Sequence, residues 1–201
     1  MTRQWLRERR RDYFHRLAVE EGYRSRAAYK LLQIAGKYPL IRYGDVVVDI
    51  GASPGGWMQV ALSMVGKKGF VLGVDLQPIA DLMAPNALTL LADVEKLSAE
   101  DLLKLLPRRP NVVLSDASPN LSGFWSLDHA RQINLARAAL GLADRMLVKG
   151  GNMLVKVFQG EFFRAYLREV RVKFEYVHVV KPKASRKESA EMYLLALKFR
   201  S

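Results

Sequence analysis

The sequence predicts an α/β fold with a mostly parallel sheet, because strand-like and helix-like segments alternate along most of its length. Three of the early apolar, β-branched runs close on an acid, namely Asp49, Asp75 and Asp93. A glycine-rich turn at residues 51–56 follows the first run, in the place where open α/β sheets hold ligands. The 201 residues are enough for one domain of this kind.

Residues 1–24 are predicted to form a basic N-terminal extension, ahead of a single domain over residues 25–201. Arginines alternate there with aromatic side chains, a pattern that can grip phosphates and stack bases. A solvated charged helix is the alternative interpretation. The residues concerned are Arg3, Arg7, Arg9, Arg10, Arg11, Arg16 and Arg24, with Trp5, Tyr13 and Phe14.

The first predicted helix of the domain is capped by Ser25 and runs to about residue 38. Its apolar residues share one face. Lys30 falls at the edge of that face, one turn beyond Arg26, so both side chains could point along the body of the domain.

Residues 46–50 are predicted to form the first strand, and the glycine-rich turn leads from it into a helix. A dinucleotide site would need the pattern G-x-G-x-x-G, but Ser53 takes the place of the second glycine. The turn therefore favours a cofactor without a pyrophosphate, and S-adenosylmethionine is the leading candidate, although a purely structural loop would look similar. The residues expected at this site are Asp49, Gly51, Ser53, Pro54, Gly55 and Trp57.

The second and third predicted strands, residues 70–75 and 87–93, end on Asp75 and Asp93. Asp75 follows the first glycine by about two dozen residues, where such folds place the carboxylate that accepts ribose hydroxyls. Asp93 is in position to accept from an adenine amino group. For each acid alone, a solvated strand end is the alternative interpretation.

Further predicted elements complete the domain. They are a helix to about residue 106 with a capping box at Ser98 and Asp101, a strand ending at Asp116, a helix over about 126–148, a strand over 153–158, a helix over about 160–170, and strands over about 173–180 and 192–199. Lys156 lies in the middle of a buried strand. Because an unpaired lysine there is costly, it needs an anionic neighbour, a functional role or an edge position.

The charge of the chain indicates a polyanionic partner. The net charge is +12 and the isoelectric point is about 10.0, which is compatible with RNA, DNA or an anionic membrane surface. The loop at residues 181–190 adds a basic cluster that could contact nucleic acid or could be a solvated turn. Its basic residues are Lys181, Lys183, Arg186 and Lys187.

Several classes of function are excluded by composition. The chain contains no cysteine, so disulfides, thiolate zinc sites and cysteine nucleophiles are ruled out. His15, His129 and His178 lie far apart in sequence, so we expect no metal site, although acids at strand ends could hold Mg²⁺ weakly. No apolar run reaches the roughly 18 residues of a spanning helix and the basic N-terminus lacks the apolar core of a signal peptide, so we expect a soluble, cytoplasmic protein. We expect no membrane partner. We also expect a monomer.

A set of short motifs carries a resemblance to one family over nearly the whole chain. The motifs are SRAAYK at residues 25–30, DIGASPGGW at 49–57, GVD at 73–75, DASPN at 116–120, VK at 155–156, and Ser185, Arg186, Ser189, Glu191 and Tyr193. Together they resemble the FtsJ/RrmJ family of ribosomal RNA ribose 2′-O-methyltransferases. The resemblance implies a Rossmann-like S-adenosylmethionine-dependent methyltransferase fold, with a seven-stranded, mostly parallel sheet, an antiparallel last strand and helices on both faces.

The resemblance also implies a Lys-Asp-Lys-Glu catalytic tetrad at Lys30, Asp116, Lys156 and Glu191. Asp116 would flank both the donor methyl group and Lys156, and Lys156 would contact the ribose 2′-hydroxyl as a neutral base or a charged orienting group. Lys30 and Glu191 would be electrostatic and orienting partners. A neighbouring Lys30 favours the neutral form of Lys156 and the two acids favour its charged form.

The implied substrate is a uridine in large-subunit ribosomal RNA, either naked or within an assembled subunit. Relatives that act on tRNA or mRNA caps make another RNA the alternative. A nicotinamide-dependent oxidoreductase fits Asp75 but not Ser53, and an enzyme methylating a base amino group should carry an aromatic residue within 116–120, where none occurs. A non-catalytic RNA-binding module would explain the charge but not four tetrad positions.

Overall fold

The computed structural model of the protein describes residues 13–186 and 188–200. The strands are β1 (Val46–Ile50), β2 (Phe70–Asp75), β3 (Ala87–Leu91), β4 (Val112–Ser115), β5 (Asn152–Phe158), β6 (Phe174–Val180) and β7 (Glu191–Phe199). The helices are α1 (residues 13–20), α2 (Ala28–Ala35), α3 (Gly56–Val65), α4 (Ala99–Lys104), α5 (Trp125–Met146) and α6 (Phe163–Lys173).

The seven strands form one sheet in the order β3-β2-β1-β4-β5-β7-β6. Strands β1 to β5 are parallel, and β7 runs antiparallel to both of its neighbours, β5 and β6. The predicted mostly parallel, seven-stranded sheet with an antiparallel last strand is confirmed. The strand order reverses between β1 and β4, and open α/β sheets bind ligands at the carboxyl ends of the strands beside such a reversal.

Strand β1 explains why helices cover both faces of the sheet. Val46 and Val48 pack in one core with residues of α4, α5 and α6, whereas Val47 packs in a second core with residues of α2 and α3. Successive strand residues point to opposite faces, so a continuous apolar run requires cover on both. The prediction of helices on both faces is therefore confirmed.

On the face of the sheet that holds the second core, the same alternation places polar side chains at the ends of the strands. Leu114, Leu154 and Leu195 belong to the core beneath α2 and α3. Two residues further along, or two residues earlier in the antiparallel β7, the same face presents Asp116, Lys156 and Tyr193. All three lie at the carboxyl edge of the parallel strands.

Two helix starts differ from the predictions. Ser25 is not an N-cap, because α2 begins at Ala28, its N-cap is Ala27 without a side-chain bond, and the Ser25 hydroxyl packs against Gly56 instead. Helix α6 begins at Phe163 rather than near residue 160. By contrast, the predicted capping box of α4 is confirmed, since the Asp101 backbone N–H donates to Ser98 Oγ at 3.1 Å.

The N-terminal helix α1 packs on the domain through a small cluster in which Ala18 and Phe14 contact Tyr29 and its neighbours. The other residues predicted to form a basic extension lie outside the described residues, as does Lys187; they are Arg3, Trp5, Arg7, Arg9, Arg10 and Arg11. Within residues 13–186 and 188–200, no helix is long and apolar enough to cross a membrane.

Candidate active site

The glycine-rich turn leaves β1 through Gly51. Its backbone N–H donates to the Val74 carbonyl at 2.8 Å, and its φ of +75° is a conformation that L side chains rarely adopt. A Cβ at this position would lie 2.5 Å from the backbone of Ala117. Only glycine lets the turn after β1 approach the loop after β4 this closely.

Asp75 ties the end of β2 to this turn. Its Oδ2 accepts from the Ser53 backbone N–H at 2.9 Å, and its Oδ1 accepts from the Gln77 N–H at 2.8 Å. These bonds fix the orientation of the carboxylate. Its remaining lone pairs can accept from a ligand, as the ribose role predicted for Asp75 requires.

Arg24 joins the two loops that border the predicted cofactor site. Its Nη1 donates to the carbonyls of Pro54 at 3.3 Å and Ala80 at 2.5 Å, and its Nη2 donates to the Asp81 carbonyl at 2.5 Å. The Arg24 backbone N–H is held by Gln59 Oε1 at 2.8 Å. The guanidinium that the sequence grouped with phosphate-gripping arginines is therefore bonded to the glycine-rich turn and to the loop after β2.

Asp49 is a fully buried carboxylate beneath the turn, with 0% of its surface exposed. Neither of its oxygens has a hydrogen-bond partner within the described part of the chain. Burial, together with the charges of Asp116 and Asp75, raises the pKa of Asp49 well above its ordinary value. Three carboxyl groups thus converge at one end of the sheet, an arrangement that favours a positively charged ligand.

Two other residues predicted to bind the cofactor have partners within the protein. The indole N–H of Trp57 donates to the Ala27 carbonyl at 2.8 Å, and the buried ring lies beside Tyr193 with centroids 5.8 Å apart. Asp93 accepts from the Glu95 N–H at 3.1 Å, beyond the end of the edge strand β3. Gly55 has a φ of +109° and is the N-cap of α3.

The four residues of the predicted tetrad come together at the carboxyl edge as two ion pairs. Lys156 Nζ donates to the backbone carbonyl of Asp116 at 2.6 Å and lies 3.4 Å from its Oδ1. Lys30 Nζ lies 2.7 Å from Glu191 Oε1. Both lysines are buried, and each has its own acid, which offsets the cost of burying the charges.

Tyr193 links the two pairs, and the sequence did not single it out as a site residue. Its hydroxyl oxygen lies 2.7 Å from Asp116 Oδ1 and 3.2 Å from Glu191 Oε1. It stands directly opposite Lys156 in the pairing of β5 and β7, and Lys30 Nζ lies 5.7 Å from the centre of its ring. Burial and the two negative charges raise the pKa of Tyr193 well above its ordinary value, so the phenol stays protonated and donates.

Glu191 keeps its charge although it is largely buried. Burial by itself would raise the pKa of this carboxyl, but the ammonium groups of Lys30 and Lys156 outweigh that effect. The Ser185 hydroxyl also donates to Glu191 Oε1 at 2.9 Å. The pKa of Glu191 therefore lies below its ordinary value, and the pair with Lys30 is ionised at neutral pH.

An open cavity of about 450 Å³ lies over the Lys30–Glu191 pair. It is lined by Arg26, Lys30, Arg186, Glu188, Ser189 and Glu191. The loop after β6 forms one wall, and the Ala184 N–H of this loop donates to Gln33 Oε1 of α2 at 3.1 Å. Within the described residues, no group of three or more histidines and acids could hold a metal ion.

The fold is shared with S-adenosylmethionine-dependent methyltransferases. The crystal structure of Aeropyrum pernix fibrillarin, in complex with S-adenosyl-L-methionine, matches 87% of this chain and 75% of its own, with a TM-score of 0.59 and 17% identity. A Plasmodium falciparum protein described as a ribosomal RNA methyltransferase matches more of the fold, with a TM-score of 0.78 and 27% identity over 88% of this chain and 98% of its own.

Within this fold, the sequence assigns the chain to one family. The model of the FtsJ-like methyltransferase family matches residues 23–199, and the chain belongs to that family. Ribosomal RNA large subunit methyltransferase E of Methanothrix thermoacetophila is 51% identical over 95% of this chain and 74% of its own length. The protein of the same name from Methanothermobacter thermautotrophicus is 45% identical over 100% of this chain and 95% of its own length. The relatives support ribosomal RNA methyltransferase activity.

Proposed function

We propose that this chain transfers the methyl group of S-adenosylmethionine to the ribose 2′-hydroxyl of a uridine in large-subunit ribosomal RNA. The observation that carries the proposal is the pairing of Lys156 with Asp116 at the carboxyl edge, beside the glycine-rich turn. A second ion pair and the Tyr193 hydroxyl surround this lysine. The ribose hydroxyl and the uridine are the family's substrate, and the family membership supports them here.

The residues around the glycine-rich turn fit S-adenosylmethionine. Asp49 supplies a buried carboxyl group that has no hydrogen-bond partner among the described residues, Asp75 supplies an oriented carboxylate for ribose hydroxyls, and Gly51 keeps the turn clear of side chains. The ligand carries a sulfonium and an ammonium charge, which suit a site with three acids. When bound, it supplies a methyl group that is already strongly electrophilic, so the protein has to position the nucleophile and remove its proton.

Lys156 is the group that would meet the hydroxyl. Its ammonium group donates one hydrogen bond to the Asp116 carbonyl and forms an ion pair with Asp116 Oδ1, and an ammonium group has three hydrogens, so it can also meet a substrate hydroxyl. Positioning of this kind can contribute up to about 7–11 kcal/mol, and general-base catalysis typically adds about 10²–10⁴-fold. Tyr193 and the Lys30–Glu191 pair would hold the Asp116 carboxylate in place.

A ribose hydroxyl suits this site better than a base nitrogen. Enzymes that methylate a flipped base stack it against aromatic or apolar side chains next to the reacting group. The loop at residues 116–120, from which such enzymes stack the base, contains no aromatic side chain here, and its Asp116 forms an ion pair with Lys156. The adjoining cavity carries Arg26 and Arg186, whose guanidinium groups suit the phosphates on either side of a target ribose.

The proposal is tested by where a labelled methyl group goes. The protein is incubated with ribosomal RNA and S-adenosylmethionine labelled in its methyl group, and the RNA is then hydrolysed in alkali. Methylation of a 2′-oxygen blocks cleavage of the next phosphodiester, so the label should stay in alkali-resistant dinucleotides that contain uridine. Label in mononucleotides would mean base methylation and would refute the ribose assignment. The Lys156→Ala variant is the matched control.

A further inference from the structure

An apolar patch lies next to the candidate active site. Leu121, Phe124 and Trp125 follow directly after the loop at residues 116–120, and they are 67%, 75% and 51% exposed. Phe162, in the turn after β5, is also exposed, and its ring and that of Trp125 both stack on His129. We call these four residues, three of which are aromatic, the aromatic patch. Large apolar side chains that are grouped on a surface often mark a binding site, whereas single exposed ones need no explanation.

The loop that carries the aromatic patch is held from below by Asp128. The carboxylate of this buried residue accepts from the Ser122 N–H at 2.8 Å, the Ser122 hydroxyl at 2.7 Å and the Gly123 N–H at 3.0 Å. The bonds from Ser122 and Gly123 lower the pKa of Asp128, so the carboxylate is charged at neutral pH. The exposure of Leu121 and Phe124 is thus built into the fold.

Trp125 has a fixed ring orientation. Its plane lies within 19° of the His129 ring and within 20° of the Phe158 ring, with centroids 5.8 and 6.0 Å away. His129 is in turn parallel to Phe162, at an angle of 4°, and its Nε2 accepts from the Phe162 N–H at 3.0 Å. A ring already held in one orientation loses little entropy when a ligand stacks on it.

Gly160 makes this arrangement possible. A Cβ at residue 160 would lie 2.8–2.9 Å from three atoms of the His129 imidazole. The chain therefore passes directly over His129 before α6 begins, which explains why the helix starts at Phe163 and not at the predicted position. The same close approach brings the Phe162 N–H onto the imidazole.

The aromatic patch is continuous with the tetrad. Phe158, against which Trp125 stacks, is paired with Glu191 across β5 and β7, and it lies two residues after Lys156 on the same strand. A ligand on Trp125 therefore lies along the same edge of the sheet as a ribose at Lys156.

We propose that the aromatic patch is a platform on which nucleobases flanking the target nucleotide stack. This inference rests on the proposed function, in that the strand reaching the platform is the RNA that enters the tetrad. Flat apolar rings stack on bases but cannot bind phosphates. The phosphates would instead be bound by the arginines of the cavity beyond Glu191. A protein partner on the patch would cover the approach to the tetrad, so the occupant that fits is the substrate itself.

The test compares binding of two probes without any methyl transfer. One is a single-stranded oligoribonucleotide of adenosine and uridine, and the other is an oligomer of the same length with abasic riboses. In Phe124→Leu and Trp125→Leu, affinity for the first probe should fall about tenfold or more, the scale of a lost base–aromatic stack, while affinity for the abasic probe stays unchanged. Tyr43 is an exposed aromatic residue before β1, at the opposite edge of the sheet. The Tyr43→Leu variant should bind both probes as tightly as the wild type.

Three outcomes would overturn the proposal. Unchanged affinity for both probes would assign the patch to another ligand, such as a protein. An equal loss for both would mean that the patch supports the backbone path and not the bases. A loss in Trp125→Leu alone, accompanied by a lower melting temperature, would mean a packing defect, because Phe124 is too exposed to affect folding. Ribose methylation by the wild-type protein is measured separately, so failure of the platform leaves the proposed function standing.

Discussion

Lys156 occupies the position in the chain that most needs a physical explanation. A lysine in the middle of an apolar strand needs an anionic neighbour, a functional role or a position at the edge of the sheet. The strand order excludes an edge position, because β5 lies between β4 and β7. The anion is Asp116, which provides both a carbonyl and a carboxylate oxygen. The pairing explains how the charge is tolerated, and the position at the carboxyl edge is the one that the proposed reaction requires.

Replacing Lys156 by alanine should separate binding from chemistry. We expect kcat to fall about 10²-fold or more, the scale of a missing acid–base group, while the Kd for S-adenosylmethionine stays close to that of the wild type. Calorimetry and single-turnover methylation measure the two quantities. Turnover near that of the wild type would remove Lys156 from the reaction.

The pH dependence of the rate distinguishes the two roles open to this lysine. If Lys156 accepts the hydroxyl proton, the single-turnover rate should rise with pH through one ionisation that disappears in Lys156→Met. A rate that does not change with pH, and that is lower by the same factor at every pH in Lys156→Met, would instead identify a charged lysine that orients the hydroxyl.

Glu191 gives a stability prediction with a definite sign. Its pKa in the folded protein lies below the ordinary value of 4.5, so its pair with Lys30 stabilises the fold above pH 4.5 and loses that effect as the pH falls through the lower, folded-state pKa. Glu191→Gln leaves Lys30 buried without its counter-charge and should lower the free energy of unfolding by about 3 kcal/mol at pH 7. Urea unfolding should show the same difference at pH 6 and a smaller one below pH 4.5. A difference that grew on acidification would contradict the assigned direction.

Among the elements, the loops after β1 and β2 depend on one side chain from the segment before α2. Arg24→Ala removes three hydrogen bonds to the carbonyls of Pro54, Ala80 and Asp81. We expect the Kd for S-adenosylmethionine to rise about tenfold, since hydrogen bonds from a charged donor contribute about 1.5–3 kcal/mol and part of the loss is recovered by water. Calorimetry is the measurement.

Arg26→Ala is the matched control for Arg24→Ala. It removes a guanidinium two residues along the chain that donates to Ala184 and lines the cavity beside Glu191. Affinity for the cofactor should be retained, and affinity for RNA should fall. Equal effects of both variants on cofactor binding would mean that the whole segment, and not the Arg24 bonds, supports the site.

The sequence predicted the elements well where packing alone determines them. Residues 46–50 and 70–75 could be assigned because buried parallel strands are continuous apolar runs, and the tetrad was implied by the family resemblance. Tyr193 is one of the residues that carry the family resemblance, but its place between the two ion pairs could not be predicted, since it depends on which strand pairs with β5. The partners of Arg24 depend in the same way on loops far along the chain, and the late start of α6 depends on Gly160 lying over His129.

For the molecule as a whole, the net charge of +12 predicts RNA binding that weakens steeply with salt. Lys183 and Arg186 are exposed residues of the loop after β6. Changing both to glutamine should flatten the slope of log affinity against log salt by about 1.4 for single-stranded RNA, if each contacts one phosphate. Fluorescence anisotropy over a salt series provides the slope.

A matched pair of charges lies at the opposite edge of the sheet. Lys67 and Lys68 are exposed just before β2, away from the carboxyl ends of the strands. Their double change to glutamine removes the same charge and should leave the slope nearly unchanged. Equal flattening in the two double variants would mean that the charge acts through the overall field and not through the loop.

Because β7 runs antiparallel, its first residues return to the edge where β1 to β5 end, and so residues from near the two ends of the chain meet at Lys156. A ribosome makes the chain from its amino end, and strands β1 to β4 with the glycine-rich turn emerge well before Glu191 and Tyr193. In a nascent chain, the residues of the predicted cofactor site are therefore all synthesised before the predicted tetrad is complete. The methyl transfer proposed here uses all four tetrad residues and therefore needs the last strand.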